Sequence, residues 1–127
     1  MANLNLNVQI FPFFDSVKNP ITSAGTSTSF NNSGYDRLTL ELSGLGSGKI
    51  EVQGCVNTLN ANGEPMSDSD CTWTTTQILS ISDYEMKNKA EANGIYQVTI
   101  TGFSRIRVKA TDVSGTGLTV VGAFSRS

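Results

Sequence analysis

The sequence predicts an all-β fold, namely a two-sheet antiparallel β-sandwich of the jelly-roll or immunoglobulin-like kind with seven or eight strands. Three observations predict it. Apolar and polar residues alternate with a period of two in several short segments, as in strands with one buried face. Turn residues, mainly glycine, separate these segments. Only 16% of the residues are charged, so Asn, Ser, Thr and Gly supply most of the polar surface, which is typical of strands and turns.

The N-terminal half contains the first of these alternating segments. The first predicted strand runs from Leu4 to Ile10, with Leu4, Leu6, Val8 and Ile10 inward, and ends near Pro12 because proline cannot donate to a central ladder. A weaker strand is predicted near Thr26 to Phe30. The segments at 38–42 and 50–52 alternate clearly, and the glycine-rich residues 44–48 between them predict a hairpin with positive φ at the turn.

The C-terminal half predicts a strand from Cys71 to about Ile81 and then three more strands. Residues 83–93 are either a short helix that Asp83 would cap or an extended loop. Segments at 96–100, 106–110 and 118–124 are joined by tight turns, which predicts a meander. The residues predicted to face inward are Leu38, Leu40, Ile50, Val52, Tyr96, Val98, Ile100, Ile106, Val108, Leu118 and Val120.

Length, charge and composition narrow the function classes. The 127 residues suit a single domain, 1–127. The sequence contains no histidine, which removes the commonest general base and the histidine-containing triads, so an enzyme is not expected. No cofactor motif is present. A net charge of −2 argues against a nucleic-acid partner, and no apolar run reaches the roughly 18 residues of a membrane span. No secretory signal is visible at the N-terminus.

Cys55 and Cys71 flank a polar loop, residues 56–70. If the flanking strands pair, the two thiols lie at the neck of the loop. A disulfide there would close a loop of about 15 residues, which the chain-entropy model values at roughly 3 kcal/mol. The alternative is two buried free thiols that pack as small apolar residues. A disulfide would indicate that the protein ends up in an oxidising environment.

The same loop carries the only weak candidates for a metal site, Glu64, Asp68 and Asp70. Calcium prefers oxygen ligands grouped on a loop. The spacing does not match an EF-hand, and the alternative is a solvated acidic loop. These carboxylates are also the only conceivable pair for glycoside hydrolysis, but nothing in the sequence fixes them on rigid strands.

Trp73 and a basic stripe are the candidate ligand or interface residues. A lone strand tryptophan is usually part of a core, and the alternative is a platform on which a sugar ring stacks. Arg105, Arg107 and Lys109 alternate with apolar residues and therefore lie on the outer face of one strand. Such a stripe is either a solvated face that hinders edge aggregation or a surface that pairs with an acidic loop of a neighbouring subunit.

Three stretches together resemble small β-sandwich modules of tailed-bacteriophage virion proteins. The resemblance covers about residues 35–124 and rests on strand and turn patterns. The cysteine-flanked loop and residues 83–93 depart from the family pattern. The stretches are Tyr35-Asp36-Arg37-Leu38-Thr39-Leu40-Glu41-Leu42-Ser43-Gly44, Lys49-Ile50-Glu51-Val52-Gln53-Gly54 followed by Thr72-Trp73, and residues 93–108, with a closing strand Gly115-Thr116-Gly117-Leu118-Thr119-Val120-Val121-Gly122.

The resemblance implies a non-catalytic virion protein, structural or accessory, that sits on the capsid or the tail and acts in assembly, decoration or stabilisation. Its expected partners are other virion proteins and further copies of itself, for which a trimer is frequent in such settings. Residues 1–14 are a candidate inter-subunit strand or arm. The alternative function is a carbohydrate-binding, host-adhesion module that reads a host glycan through the 56–70 loop and Trp73.

Overall fold

The computed structural model describes residues 8–114 and 117–126. Apart from one 3-10 turn, η1 (Asp68–Asp70), the regular elements in these ranges are strands. No helix in the described residues is long and apolar enough to cross a bilayer. The strands are β1 (Val8–Phe14), β2 (Gly25–Thr26), β3 (Phe30–Asn31), β4 (Arg37–Ser43), β5 (Lys49–Cys55), β6 (Thr74–Thr75), β7 (Ile78–Ser80), β8 (Glu85–Lys87), β9 (Gly94–Thr99), β10 (Arg105–Thr111) and β11 (Thr119–Ser125).

These strands form two antiparallel sheets that pack face to face, so the predicted all-β sandwich is confirmed. The six-stranded sheet has the order β1-β11-β4-β9-β7-β8. The five-stranded sheet has the order β2-β10-β5-β6, with β3 also paired to β10. The described residues contain eleven strands instead of seven or eight, because the predicted segments at 26–30 and 71–81 are each divided into two short strands and β8 is an additional strand.

The residues that alternate in the sequence build the core between the sheets. The eleven inward residues predicted for the strands from Leu38 onward are all buried, and none of them is more than 4% exposed. An aromatic cluster, which the sequence did not predict, fills one part of this core. Phe30 stacks on Phe124 with ring centroids 3.7 Å apart, and the other rings of the cluster are Phe11, Phe13 and Tyr35.

The predicted hairpin between β4 and β5 is wrong, because these strands lie in different sheets. Residues 44–48 do contain positive φ values, at Gly44, Gly46 and Gly48. They carry the chain across the end of the sandwich, and Leu45 is buried in the crossing with 1% exposure. Alternation shows which side of a strand is buried, but it is the same whether the next strand pairs alongside or packs on the opposite side of the core.

The predicted C-terminal meander is wrong for the same reason. β9 and β11 belong to the six-stranded sheet, and β10 belongs to the five-stranded sheet. The strands that pair with β4 are β9 and β11, and β10 pairs with β5 in a seven-residue register. Part of the predicted turn before β11, residues 115 and 116, lies outside the described residues.

The first strand also differs from its prediction. β1 runs through Pro12, which is tolerated because β1 is an edge strand bonded only to β11. Val8 and Ile10 face outward and are 47% and 61% exposed, so their predicted burial is wrong. A register shift between Pro12 and Phe14 accompanies the burial of both Phe13 and Phe14. Leu4 and Leu6 lie outside the described residues.

Residues 83–93 contain no helix. Residues 81–84 form a turn in which Tyr84 has a φ of 56°, and β8 follows as a short edge strand. The Asp83 carboxylate accepts a hydrogen bond from the backbone N–H of Glu85. Ala90 then exchanges two backbone hydrogen bonds with Ile50, of 2.8 and 2.9 Å, which ties this segment to β5.

Candidate ligand-binding and interface residues

Most of the candidate residues meet on the outer face of the five-stranded sheet. Arg105, Arg107 and Lys109 lie on that face of β10 and are half-buried, since the residues between them point into the core. The antiparallel register places them opposite Cys55, Gln53 and Glu51 of β5, respectively. The prediction that the basic stripe lies on an outer strand face is therefore confirmed.

The loop that follows β5 folds back over one end of this face, and Asp68 is its anchor. The Arg105 Nη1 atom lies 3.0 Å from the Asp68 Oδ1 atom, and Ser29 Oγ donates to the same oxygen at 3.0 Å. The Arg105 side chain is 13% exposed and the Asp68 side chain 35%, so this ion pair is shielded from water mainly on the Arg105 side. Arg105 thus pairs with an acidic loop of its own chain, and the inter-subunit pairing of the stripe stays a prediction.

Trp73 lies half-buried at the end of the same loop, on the outer face and not in the core. Its indole N–H donates to the backbone oxygen of Asp68 at 2.8 Å. The Arg107 guanidinium carbon lies 4.1 Å from the centroid of the Trp73 ring, and Arg107 Nε donates to Gln53 Oε1 at 2.8 Å. A cation–π contact of this kind contributes about 0.5–2 kcal/mol. The ring face that Arg107 covers is not available to a sugar.

Lys109 differs from its two neighbours in the stripe. No ion pair or hydrogen bond of its side chain is found in the described part of the chain. Its cross-strand neighbour Glu51 instead accepts a hydrogen bond from the Thr75 hydroxyl at 2.8 Å. Of the three basic residues, Lys109 is therefore the one whose charge has no partner in residues 8–114 and 117–126.

Cys55 and Cys71 lie next to each other beneath the loop, as their positions at its two ends predict. Both are free thiols in this structure, Cys55 buried and Cys71 half-buried. Burial raises the pKa of the Cys55 thiol from 9.0 to about 11, and the adjacent Cys71 adds to the rise through its charge and a hydrogen bond. Arg105 Nη1 donates to the Cys71 sulfur at 3.5 Å. The thiols are placed for a disulfide, which stays a prediction.

The two cysteines are expected to form a disulfide in oxidised protein and to differ in reactivity once reduced. Because the thiolate is the reactive form, a thiol with a pKa of about 11 should resist alkylation in the native state. When oxidised protein is unfolded in the presence of an alkylating reagent and without reductant, its intact mass should show no added label. Reduced native protein should be labelled at Cys71 well before Cys55. Two labels on the oxidised sample would refute the disulfide.

The carboxylates proposed for calcium are not brought together. Asp68 is held by Arg105 and Ser29, Asp70 accepts from the Ser67 hydroxyl, and the Glu64 carboxylate lies near the Asn60 amide. No group of three or more metal-ligating side chains is found in residues 8–114 and 117–126. Each of the three carboxylates is engaged by a side chain of its own chain, so the geometry gives no support to the weak calcium candidates Glu64, Asp68 and Asp70.

Sequence reasoning missed a cleft at the side of the sandwich, where the chain crosses from β6 to β7. Its volume is about 560 Å³, and Arg37, Gln97 and Phe103 are among its lining residues. It forms because β7 pairs with β9 at Leu79 and Ser80 only. The chain N-terminal to β7 diverges from β9 and leads to β6 in the five-stranded sheet. No sequence signal marks such a cleft, since it arises from the divergence of two strands that are adjacent only in the fold.

Comparison of the sequence with models of known protein families gives no match, and comparison with curated proteins gives no relative. Among solved structures, the fold is similar to that described as "Crystal structure of SPBc2 prophage-derived protein YomS". The TM-score is 0.69 with 20% sequence identity, and the alignment covers 93% of this chain and 92% of that chain. At this identity the likeness concerns the fold.

Proposed function

We propose that this chain is a non-catalytic structural or accessory protein of a bacteriophage virion, on the capsid or tail surface, that acts in assembly, decoration or stabilisation. It does so by binding further copies of itself and other virion proteins. The fold likeness to a prophage-derived protein supports the phage setting. The observation that carries the binding role is the outward-facing apolar side of the edge strand β1.

The outer face of β1 has the character of an interface. Val8 and Ile10 are 47% and 61% exposed, and Pro12 is exposed beside them. The paired residues of β11, Ala123 and Val121, are half-buried on the same face and extend the apolar surface. Contiguous exposed apolar surface on a protein marks a place where a partner binds.

Up to Pro12, which with the register shift after it blunts the far end of the strand, the edge of β1 lacks the charges that usually protect against pairing. Natural edge strands carry charges, particularly lysine, that keep other strands away. β1 has the sequence VQIFPFF, which contains no charged residue, and among the described residues it is bonded on one side only. The sequence upstream repeats the same alternation at Leu4 and Leu6. An uncharged edge with an apolar outer side can pair with the same strand of a second copy about a two-fold axis.

Ile10→Lys is expected to weaken self-association, because a lysine in the middle of the apolar face would lose hydration at the interface and would oppose pairing of the edge. Light scattering coupled to size exclusion at micromolar concentration should give a mass above that of a monomer for the parent chain and a monomer mass for the variant.

Val17→Lys is the matched control, since Val17 is 84% exposed and lies beyond the end of β1. This variant should associate like the parent chain. A monomeric parent chain, or equal association of parent and Ile10→Lys, would refute the role of β1.

Location on the particle is tested separately. Antibodies against this chain should label capsids or tails in electron micrographs of phage particles released from cells that encode it. Particles that carry no label and no peptide of this chain by mass spectrometry would refute the virion role, whatever the oligomeric state of the isolated protein.

The alternative, glycan binding through the 56–70 loop and Trp73, has less support. Arg107 covers one face of the Trp73 ring, and Asp68 holds the loop to β10. Both groups that would have to meet a sugar are thus engaged inside the chain.

A further inference from the structure

The cleft beside β9 results from the path of the chain between β6 and β7. β6 pairs with Gln53 and Gly54 in the five-stranded sheet, and the backbone N–H of Thr76 donates to the Val52 oxygen at 2.8 Å. Two residues further on, β7 has joined the six-stranded sheet. The chain between them crosses the side of the sandwich and leaves the end of β9, at Val98 and Thr99, without a strand neighbour on that side.

Most of the residues that line the cleft are polar. Six of its eleven residues are threonines or glutamines, four are apolar, and none is acidic. The single charge belongs to Arg37, an exposed residue at the start of β4. No ion pair or hydrogen bond of the Arg37 guanidinium is found in the part of the chain that the structure describes. The Thr75 and Thr76 hydroxyls already donate to Glu51 and to the Val52 oxygen. Within the described residues the cleft therefore offers four uncommitted hydrogen-bonding side chains and one free positive charge.

Phe103 forms an apolar wall that is firmly held. Its ring lies so close to Gly54 that a Cβ at that position would come within 2.6 Å of two ring carbons. The backbone N–H of Phe103 donates to the Ile100 oxygen at 3.1 Å, which fixes the turn that carries it. Leu79 and Met86 add apolar surface on the β7 and β8 side of the cleft.

We propose that this cleft binds a saccharide that carries an anionic group, a carboxylate or a phosphate, with the anion paired to Arg37. Sugar hydroxyls require hydrogen-bonding side chains, the C–H surface of a sugar ring suits Leu79, Met86 and Phe103, and a guanidinium recognises carboxylate or phosphate with two parallel hydrogen bonds. The volume falls in the range of roughly 300–1,000 Å³ that is usual for small-ligand sites. The proposal goes beyond the assembly role and does not rest on it.

The test is a titration of the full isotope-labelled chain, followed by amide chemical shifts, with four probes: glucuronate, glucose 6-phosphate, glucose and inorganic phosphate. One or both of the acidic sugars should shift residues around Gln97 and Thr99 and should bind about tenfold or more tightly than glucose, the difference expected from one charge-assisted interaction. Which of the two binds better distinguishes a carboxylate from a phosphate.

Two variants localise the effect. Arg37→Gln should weaken the acidic sugar about tenfold, and Gln97→Glu, which is nearly isosteric and adds a negative charge, should weaken it further. Lys18→Gln makes the same change of charge in the loop after β1, at the opposite end of the six-stranded sheet, and should bind like the parent chain.

Three results would overturn the proposal. They are no shifts in the cleft with either acidic sugar, equal binding by the parent chain and Arg37→Gln, or, where glucose 6-phosphate is the tighter acidic sugar, inorganic phosphate binding as tightly as it does, which would show that the sugar contributes nothing. None of them bears on self-association through β1, so this site and the assembly role can fail independently.

Discussion

Val108→Asp is expected to leave the chain unfolded. Val108 is fully buried at the centre of β10, opposite Val52. Its backbone N–H donates to Ser27 Oγ and its carbonyl accepts from the Ser27 N–H, so the strand cannot move the side chain to water without losing both bonds. A carboxylate without a partner in a dry core costs several kcal/mol even after it takes up a proton. Losses above about 4 kcal/mol are a large share of the roughly 5–15 kcal/mol that stabilises a domain.

Far-ultraviolet circular dichroism and a thermal melt measure this effect. Val17→Asp is the matched control, because the same substitution at a side chain that is 84% exposed should change the melting temperature little. A Val108→Asp protein that is soluble and melts cooperatively near the parent temperature would show that the core is not where the two sheets place it.

Gly44→Ala is expected to cause the second-largest loss of stability among these variants. Gly44 has a φ of 68°, and a Cβ there would overlap the backbone oxygen of Gly117. The conformational penalty for a side chain in the left-handed region is about 1–2 kcal/mol. Overpacking against a rigid backbone adds roughly 1–3 kcal/mol. The expected loss is therefore about 2–5 kcal/mol, measured by urea unfolding.

Gly63→Ala separates the two causes. Gly63 has a φ of 77°, yet nothing lies within 4 Å of the position that its Cβ would take. This variant should lose only the conformational part, about 1–2 kcal/mol. Equal losses in the two variants would mean that the close approach of residues 44 and 117 does not constrain the crossing between the sheets.

The orientation of β1 is a case in which tertiary packing overrides the orientation that apolar–polar alternation predicts. Leu4, Leu6, Val8 and Ile10 form the longest alternating run at the N-terminus, which predicts burial of that side. The opposite side carries Phe11 and Phe13, which enter the aromatic cluster with Phe30 and Phe124. Aromatic side chains bury about 150–250 Å² each, more than valine or isoleucine, so the strand turns its phenylalanines inward. Val8 and Ile10 are left outside, where we place the interface.

The placement of the candidate residues likewise follows partly from the local pattern and partly from the tertiary structure. That Arg105, Arg107 and Lys109 share an outer face follows from a period of two and needs no structure. That Asp68 pairs with Arg105, and that Trp73 stacks on Arg107, depends on how the loop folds back over β10. Residues so far apart in the chain are joined by loop closure, and alternation contains no information about it.

The sequence by itself determined that the chain is an all-β sandwich and which aliphatic residues of the strands from β4 onward fill its core, since burial of Leu38, Val52 or Val108 depends on the side of its own strand. Only the tertiary structure decided the partner of each strand. β4 and β5 follow each other in the sequence yet lie in opposite sheets. The cleft beside β9 is a consequence of such a crossing between β6 and β7. The physical reason is that inward orientation is a local property of one strand, whereas pairing, loop closure and clefts depend on segments that meet only when the two sheets pack together.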